Sequence, residues 1–224
     1  MTGPMTLPVL SPLETRVLGV LIEKERTVPD TYPLSLNALT SGCNQKNNRD
    51  PLMAASEGEV QAAVDRLRPL SLVIESSGSR VMRYSQNVQR VLKVPSEAVA
   101  LLATLWLRGP QTAAELRSAS ERLHRFADVS SVEGYLEELA TRPAEQGGPL
   151  VTLLPRRPGM REQRWAHLLS GPVVEEAGHS PAPVDATAAD ELARLREDVR
   201  RLSDEVAALK TLVQRLADER SAPG

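Results

Sequence analysis

The chain has 224 residues, enough for two domains of ordinary size. Its 41% hydrophobic and 25% charged content is that of a water-soluble protein, and 3% aromatic residues exclude a base-stacking platform or an aromatic ligand cage. The net charge of −2 divides unevenly: residues 1–90 and 91–170 each carry ten Lys/Arg against nine Asp/Glu, whereas residues 171–224 carry seven against eleven. No part is strongly basic, which limits any nucleic-acid reading from the outset.

In chain order, helix starts are marked by Ser or Thr followed three residues later by Glu, the capping-box spacing that satisfies two orphan backbone donors of a first turn. The spacing occurs at Ser11–Glu14, Ser56–Glu59, Thr112–Glu115 and Ser130–Glu133, each ahead of an apolar-periodic run. It predicts a first helix with Leu13, Val17, Leu18, Leu21 and Ile22 on one face, ending before Pro29. A short second helix is expected over residues 34–41, stopped by Gly42, and then a polar turn from Cys43 to Pro51. The third helix buries Val60, Ala63, Val64 and Leu67 and ends near Pro69. Leu72–Ile74 and Val81–Tyr84 flank a Ser76–Ser79 turn and predict a hairpin.

The same order recurs. Pro12, Glu14 and Leu18 match Pro95, Glu97 and Leu101; Val60, Val64 and Leu67 match Val132, Leu136 and Leu139; Leu72-Val73 matches Leu150-Val151. A second hairpin turns at residues 155–160 and returns through residues 161–167. Three helices and a hairpin, twice, predict a mainly α fold with small β-hairpins (α+β): tandem winged-helix domains at residues 10–90 and 91–170. One mixed α/β domain of irregular order is the alternative. The longest apolar run, Ala98–Leu107, is about half the ~20 residues that span a bilayer, and the first twelve residues lack the pattern of a signal peptide, so no membrane is expected. The single cysteine, Cys43, excludes an intramolecular disulfide and fits a cytoplasmic location.

Residues 171–189, with Pro172, Pro181 and Pro183, read as a semi-rigid linker. Over residues 190–219 a heptad takes over, with Leu192, Val199, Val206 and Val213 at a and Leu195, Leu202, Leu209 and Leu216 at d. β-Branched a with Leu at d favours a parallel two-stranded coiled coil, and Glu191 with Arg196 and Glu205 with Lys210 supply attractive flanks. The expected partner is therefore a second copy of the chain. A higher oligomer, or a helix folded back on its own domains, is the alternative.

Residues 10–39 (LSPLETRVLGVLIEKERTVPDTYPLSLNAL), 41–51 (SGCNQKNNRDP) and 156–169 (RRPGMREQRWAHLL) resemble the YceH-like family of uncharacterised bacterial proteins. The resemblance covers roughly residues 10–169 and implies a tandem winged-helix fold. It implies no activity and no catalytic residue. Asn47 and Trp165 stand where a small hydroxyl residue and a tyrosine are expected in relatives, and the coiled coil lies outside the resemblance.

If the first domain binds double-stranded DNA, its third helix offers Gln61, Arg66 and Arg68 to the groove, opposed by Glu59 and Asp65, and its wing offers Arg80 and Arg83. The preceding turn adds Asn44, Gln45, Lys46, Asn48 and Arg49, donors suited to phosphates or base edges, or equally to capping helix ends and stitching the turn. The second domain turns Glu133, Glu137 and Glu138 outward, which phosphates would repel, while its wing carries Arg156, Arg157, Arg161 and Arg164 as a phosphate or protein clamp. The leading expectation is a dimeric DNA-binding protein that acts as a transcriptional regulator. The alternative is a non-enzymatic scaffold whose winged helices bind protein, with the acidic third helix of the second domain as docking face. His124, His167 and His179 lack companions at metal-ligand spacing, and no phosphate loop or nucleophile elbow is present, so neither a metal, nor a cofactor, nor catalysis is expected.

Overall fold

The computed structural model describes residues 8–77, 81–156 and 159–172. The linker and heptad segment, including Leu192, Leu195, Val199, Leu202, Val206, Leu209, Val213 and Leu216, lie outside the described residues, as do Arg80 and Arg157.

The first half begins with α1 (Pro12–Thr27), whose predicted capping box forms in full between Ser11 and Glu14. A 3-10 turn at Pro29–Thr31 leads to the two-residue strand β1 (Leu34–Ser35), and α2 (Leu36–Cys43) follows at once with Ser35 as its N-cap. After a long loop come α3 (Glu57–Leu67), again started by a complete box at Ser56–Glu59, and the strands β2 (Val73–Ser76) and β3 (Arg83–Gln86). These strands form an antiparallel sheet in the order β1-β3-β2, with Leu34 opposite Tyr84 and Val73 opposite Gln86.

A five-residue helix α4 (Val88–Leu92), ending on Lys93 in the left-handed region, joins the halves. The second half then repeats the order: α5 (Ser96–Arg108), α6 (Ala113–Ala119, boxed by Thr112 and Glu115) and α7 (Val129–Ala140). A 3-10 turn at Ala144–Gln146 precedes the antiparallel pair β4 (Val151–Leu153) and β5 (Trp165–His167), with Val151 opposite His167. Where the first half has β1 just before α2, the second has Gln111 just before α6. Gln111 bridges Trp165 by two backbone hydrogen bonds of 3.1 and 2.7 Å, so each half pins the start of its second helix to the return strand of its hairpin. The fold is α+β, mainly helical with small antiparallel sheets.

Several details differ from the sequence expectation: residues 34–35, expected to open the second helix, form β1 because they pair with β3, and α2 runs over Leu36–Cys43 instead of 34–41. Gly42 does not stop α2 but lies inside it; a Cβ there would sit 2.5 Å from Val20 Cγ1, so the residue is glycine because α1 and α2 touch at that point. The Ser130–Glu133 spacing caps nothing. Helix α7 starts earlier, with Asp128 as its N-cap, whose Oδ1 accepts from Ser131 N at 2.7 Å, so Ser130 lies inside the helix and Glu133 is past the first-turn donors that need a cap. The first hairpin is also shifted: Ser76, expected in the turn, is the last residue of β2.

The core runs through both halves. Every residue of α5 from Ala98 to Leu107 is buried, so the most apolar run of the sequence is a central core helix. It packs on α1, buried from Glu14 to Ile22, and a Cβ on Gly19 would lie 2.9 Å from Leu107 Cγ. The matched positions Val60, Val64 and Leu67 and Val132, Leu136 and Leu139 are all buried, each contributing about 1.5–3 kcal/mol of transfer free energy. Asp50 N donates to Leu107 O at 2.8 Å and Arg26 Nη1 to Leu123 O at 3.1 Å, tying the halves further. No helix among the described residues is long and apolar enough to cross a membrane.

Candidate functional site

The loop between α2 and α3 carries the densest set of polar donors in the sequence, and most of them are turned inward. Asn44 makes a closed pair with the backbone of Ala55: its Nδ2 donates to Ala55 O at 2.7 Å, and its Oδ1 accepts from Ala55 N at 2.8 Å. Arg49 is wholly buried at the side chain. Its Nη2 and Nη1 meet the two Glu23 carboxylate oxygens at 2.6 and 3.1 Å, and its Nε donates to Gly42 O at 3.2 Å. Gln45 Oε1 accepts from Lys24 and Arg49, both at 3.4 Å. Burial alone would raise the pKa of Glu23, but the hydrogen bonds and charge of Arg49, with Lys24, outweigh it and hold the carboxyl below its ordinary value.

Arg16 lies under the same loop, fully buried, donating from Nη2 to Pro51 O at 2.7 Å and from Nη1 to Cys43 O at 3.4 Å. Cys43 is buried beside it, and burial pushes its thiol up to about 12, away from the thiolate form. Of the predicted loop donors only Lys46 and Asn48 stand exposed, with Asn48 in the left-handed region at φ 59°.

Helix α3 presents cations that already have partners. Arg66 Nε is ion-paired with the Glu14 carboxylate, and Arg68 meets Glu75 at 2.6 Å and Asp65 at 3.6 Å. Gln61 donates to Asp65 Oδ1 at 2.9 Å and accepts from the Tyr84 hydroxyl at 2.9 Å. On the following hairpin, Arg83 Nη1 donates to Pro33 O at 2.7 Å. The exposed face of α3 therefore reads as Glu57, Glu59 and Asp65 interspersed with neutralised arginines.

Helix α7 has no such compensation. Glu133, Glu137 and Glu138 are exposed along one side with Gly134 among them, and no cation among the described residues lies within 4.0 Å of any of the three. On the second hairpin Arg156 and Arg161 are exposed, whereas Arg164 is half-buried and alone of the three lines an open groove with Asp50, Arg108, Gln111, Glu115 and Ser118. The structure thus separates the candidates into a loop that is mostly internal bracing, an α3 face of paired charges, an acidic α7 face and a basic hairpin tip. Glu23, Arg16 and Arg142, which organise the interior polar structure, were not among the sequence candidates; a charged residue inside an apolar face, as Arg16 is on α1, was the available signal.

Over residues 10–160 the sequence matches the family described as "Protein of unknown function, DUF480". A UPF0502 protein of Leptothrix cholodnii is 58% identical over 197 residues, covering 86% of this chain and 87% of that protein. A UPF0502 protein of Methylibium petroleiphilum is 60% identical over 198 residues, covering 88% and 83%. One of Burkholderia vietnamiensis is 57% identical over 217 residues, covering 89% and 90%.

Proposed function

This chain belongs to the DUF480 family, and we propose that it is a non-enzymatic scaffold whose two winged-helix units dock protein partners through the acidic faces of their third helices. The observation that carries the reading is the α7 face: three exposed carboxylates with no neutralising cation among the described residues. In a winged helix the third helix is the element that would enter the major groove, where one negative charge recurs for about every 1.7 Å of duplex. Glu133, Glu137 and Glu138 would be repelled there, whereas a basic protein surface complements them. The α3 face supports the same choice, because groove entry would require Arg66 and Arg68 to leave Glu14 and Glu75. The winged-helix assignment itself is supported by the order of three helices and a hairpin found twice, with strand β1 in the first half and the Gln111 bridge in the second at the same place. The heptads of residues 190–219 support two scaffolds per particle, joined as a parallel coiled coil.

A second reading is favoured by a different observation. Lys46, Asn48, Arg156 and Arg161 are exposed at loop and hairpin tips, the elements of a winged helix that touch DNA backbone rather than bases. On that reading the protein is a DNA-binding regulator held by phosphate contacts alone.

A photo-crosslinking amino acid placed at Glu138, and in parallel at Arg156, distinguishes the two in cells. The scaffold reading expects discrete protein adducts from position 138 that are lost in Glu133→Lys/Glu137→Lys. Nucleic-acid adducts from both positions, with no protein adduct at 138, would refute it.

A further inference from the structure

Strand β2 is an outer strand of the first sheet, and an open groove of about 710 Å³ lies beside it. Val73, Ile74 and Glu75 line the groove from the strand, and Asp65, Arg68 and Ser71 line it from the end of α3 and the turn that follows. The register fixes which backbone groups face away from the sheet. Asn87 N donates to Leu72 O at 2.9 Å, so Leu72, Ile74 and Ser76 are the residues that bond across to β3. Val73 and Glu75, between them, turn their N–H and C=O groups to the other side. None of these four groups has a partner among the described residues. Val73 is only 3% exposed, so its two groups also have little contact with water, an arrangement that folded chains ordinarily avoid.

The side chains add two preferences. Ile74 lies on the opposite face of the strand from Val73 and Glu75 and is 46% exposed, a large apolar surface left open at a sheet edge. In the groove Asp65 and Glu75 stand against Arg68, which meets Glu75 at 2.6 Å and Asp65 at 3.6 Å, leaving one net negative charge. The corresponding strand of the second half, β4, is three residues long and packs against α7 as well as β5, so the two halves differ here.

We infer that β2 accepts an extended peptide segment of a partner as an added antiparallel strand, with a β-branched apolar residue opposite Ile74 and a lysine or arginine opposite Glu75. Outward backbone donors and acceptors in a row are matched by another extended backbone. In that register the occupant's residues opposite Val73 and Glu75 exchange hydrogen bonds with them, and the residue between packs on Ile74 across a close, non-bonded pair. The basic side chain neutralises the groove's excess charge. The site stands whatever the α7 face docks.

The probe is an acetylated and amidated heptapeptide, Thr-Thr-Lys-Val-Lys-Thr-Thr, titrated into the full chain and followed by amide NMR. Saturable binding is expected, with a Kd on the order of 1 mM or tighter. At saturation the Glu75 amide should exchange with solvent about tenfold more slowly, while the Ile74 amide, already bonded to β3, stays unchanged. Methylating the backbone nitrogens of the two lysines should abolish binding, whereas methylating that of the valine, which points away from β2, should leave it largely intact. Glutamates in place of the lysines should weaken it about tenfold. Glu75→Pro removes an outward donor without touching the bonds to β3 and should abolish binding. Because proline can disturb the strand, Asp65→Asn/Glu75→Gln is the companion: it keeps every backbone group and should remove the preference for lysine over glutamate. No saturation below about 5 mM, equal binding of the two methylated peptides, or an unchanged lysine preference in the companion variant would each overturn the inference. So would a protected Glu75 amide in the chain alone: protection that grows with protein concentration assigns the edge to a second copy, and protection that does not assigns it to another segment of the same chain.

Discussion

Replacing Arg49 by Ala leaves the Glu23 carboxylate, only 18% exposed at the side chain, without its two arginine hydrogen bonds and with Lys24, 3.3 Å away, as its remaining counter-charge. Removing one member of a buried pair costs about 3 kcal/mol, most of it from the charge left behind. Urea denaturation should therefore show a large loss for Arg49→Ala and a smaller one for the double variant Arg49→Met/Glu23→Leu; equal losses would show the pair to be unimportant. A second residue-scale expectation concerns pH. His167 is held by burial at a pKa of about 4 against an ordinary 6.5, and its Nδ1 has no partner among the described residues. The unfolded chain takes up a proton as pH falls below 6.5 while the folded one resists until about 4, so stability present above pH 6.5 is lost progressively across that window. The urea midpoint of the native chain should drop between those pH values, and His167→Gln should remove part of the drop. Parallel pH curves for the two proteins would contradict the assignment.

At the scale of elements, two glycines set how closely the central helices approach. Gly42→Ala forces a methyl to within 2.5 Å of Val20 Cγ1, whose branched side chain is stiff in a helix, and should cost about 1–3 kcal/mol. Val20→Ala introduced beside it should recover part of the loss, because the clash is with that side chain alone. Thermal denaturation of the single and double variants checks this, and additive losses would place the defect elsewhere. The same glycine shows where sequence reasoning stops: inside a short apolar segment, a helix-stopping and a helix-packing glycine look alike until the partner helix is known. Three of four capping boxes were legible because both partners lie three residues apart. The fourth failed because a stronger cap, Asp128, sits two residues upstream. Helix α4 and strand β1, five and two residues long, are too short to leave a period. The candidate site was legible only where it depends on exposure, as for Glu133, Glu137 and Glu138. Asn44 and Arg49 offered the same donors to solvent or to the interior, and their partners Ala55 and Glu23 are fixed only by tertiary packing.

For the molecule as a whole, near-neutral halves and an acidic C-terminal segment argue against a general affinity for polyanions. The proposed coiled coil makes a separate demand. Sedimentation equilibrium should report a dimer for the full chain and a monomer for Leu202→Glu/Leu209→Glu, since two charges at d positions break the seam; a dimer in both would move self-association elsewhere. The central claim, that the third helices meet protein rather than a DNA groove, is tested most directly by fluorescence anisotropy of the full chain against mixed duplex fragments across a salt series. The account predicts no binding tighter than about 10 μM at low salt, and a gain in duplex affinity when Glu133, Glu137 and Glu138 are changed to Lys. Sub-micromolar binding by the unaltered chain, weakening steadily with added salt, would contradict it.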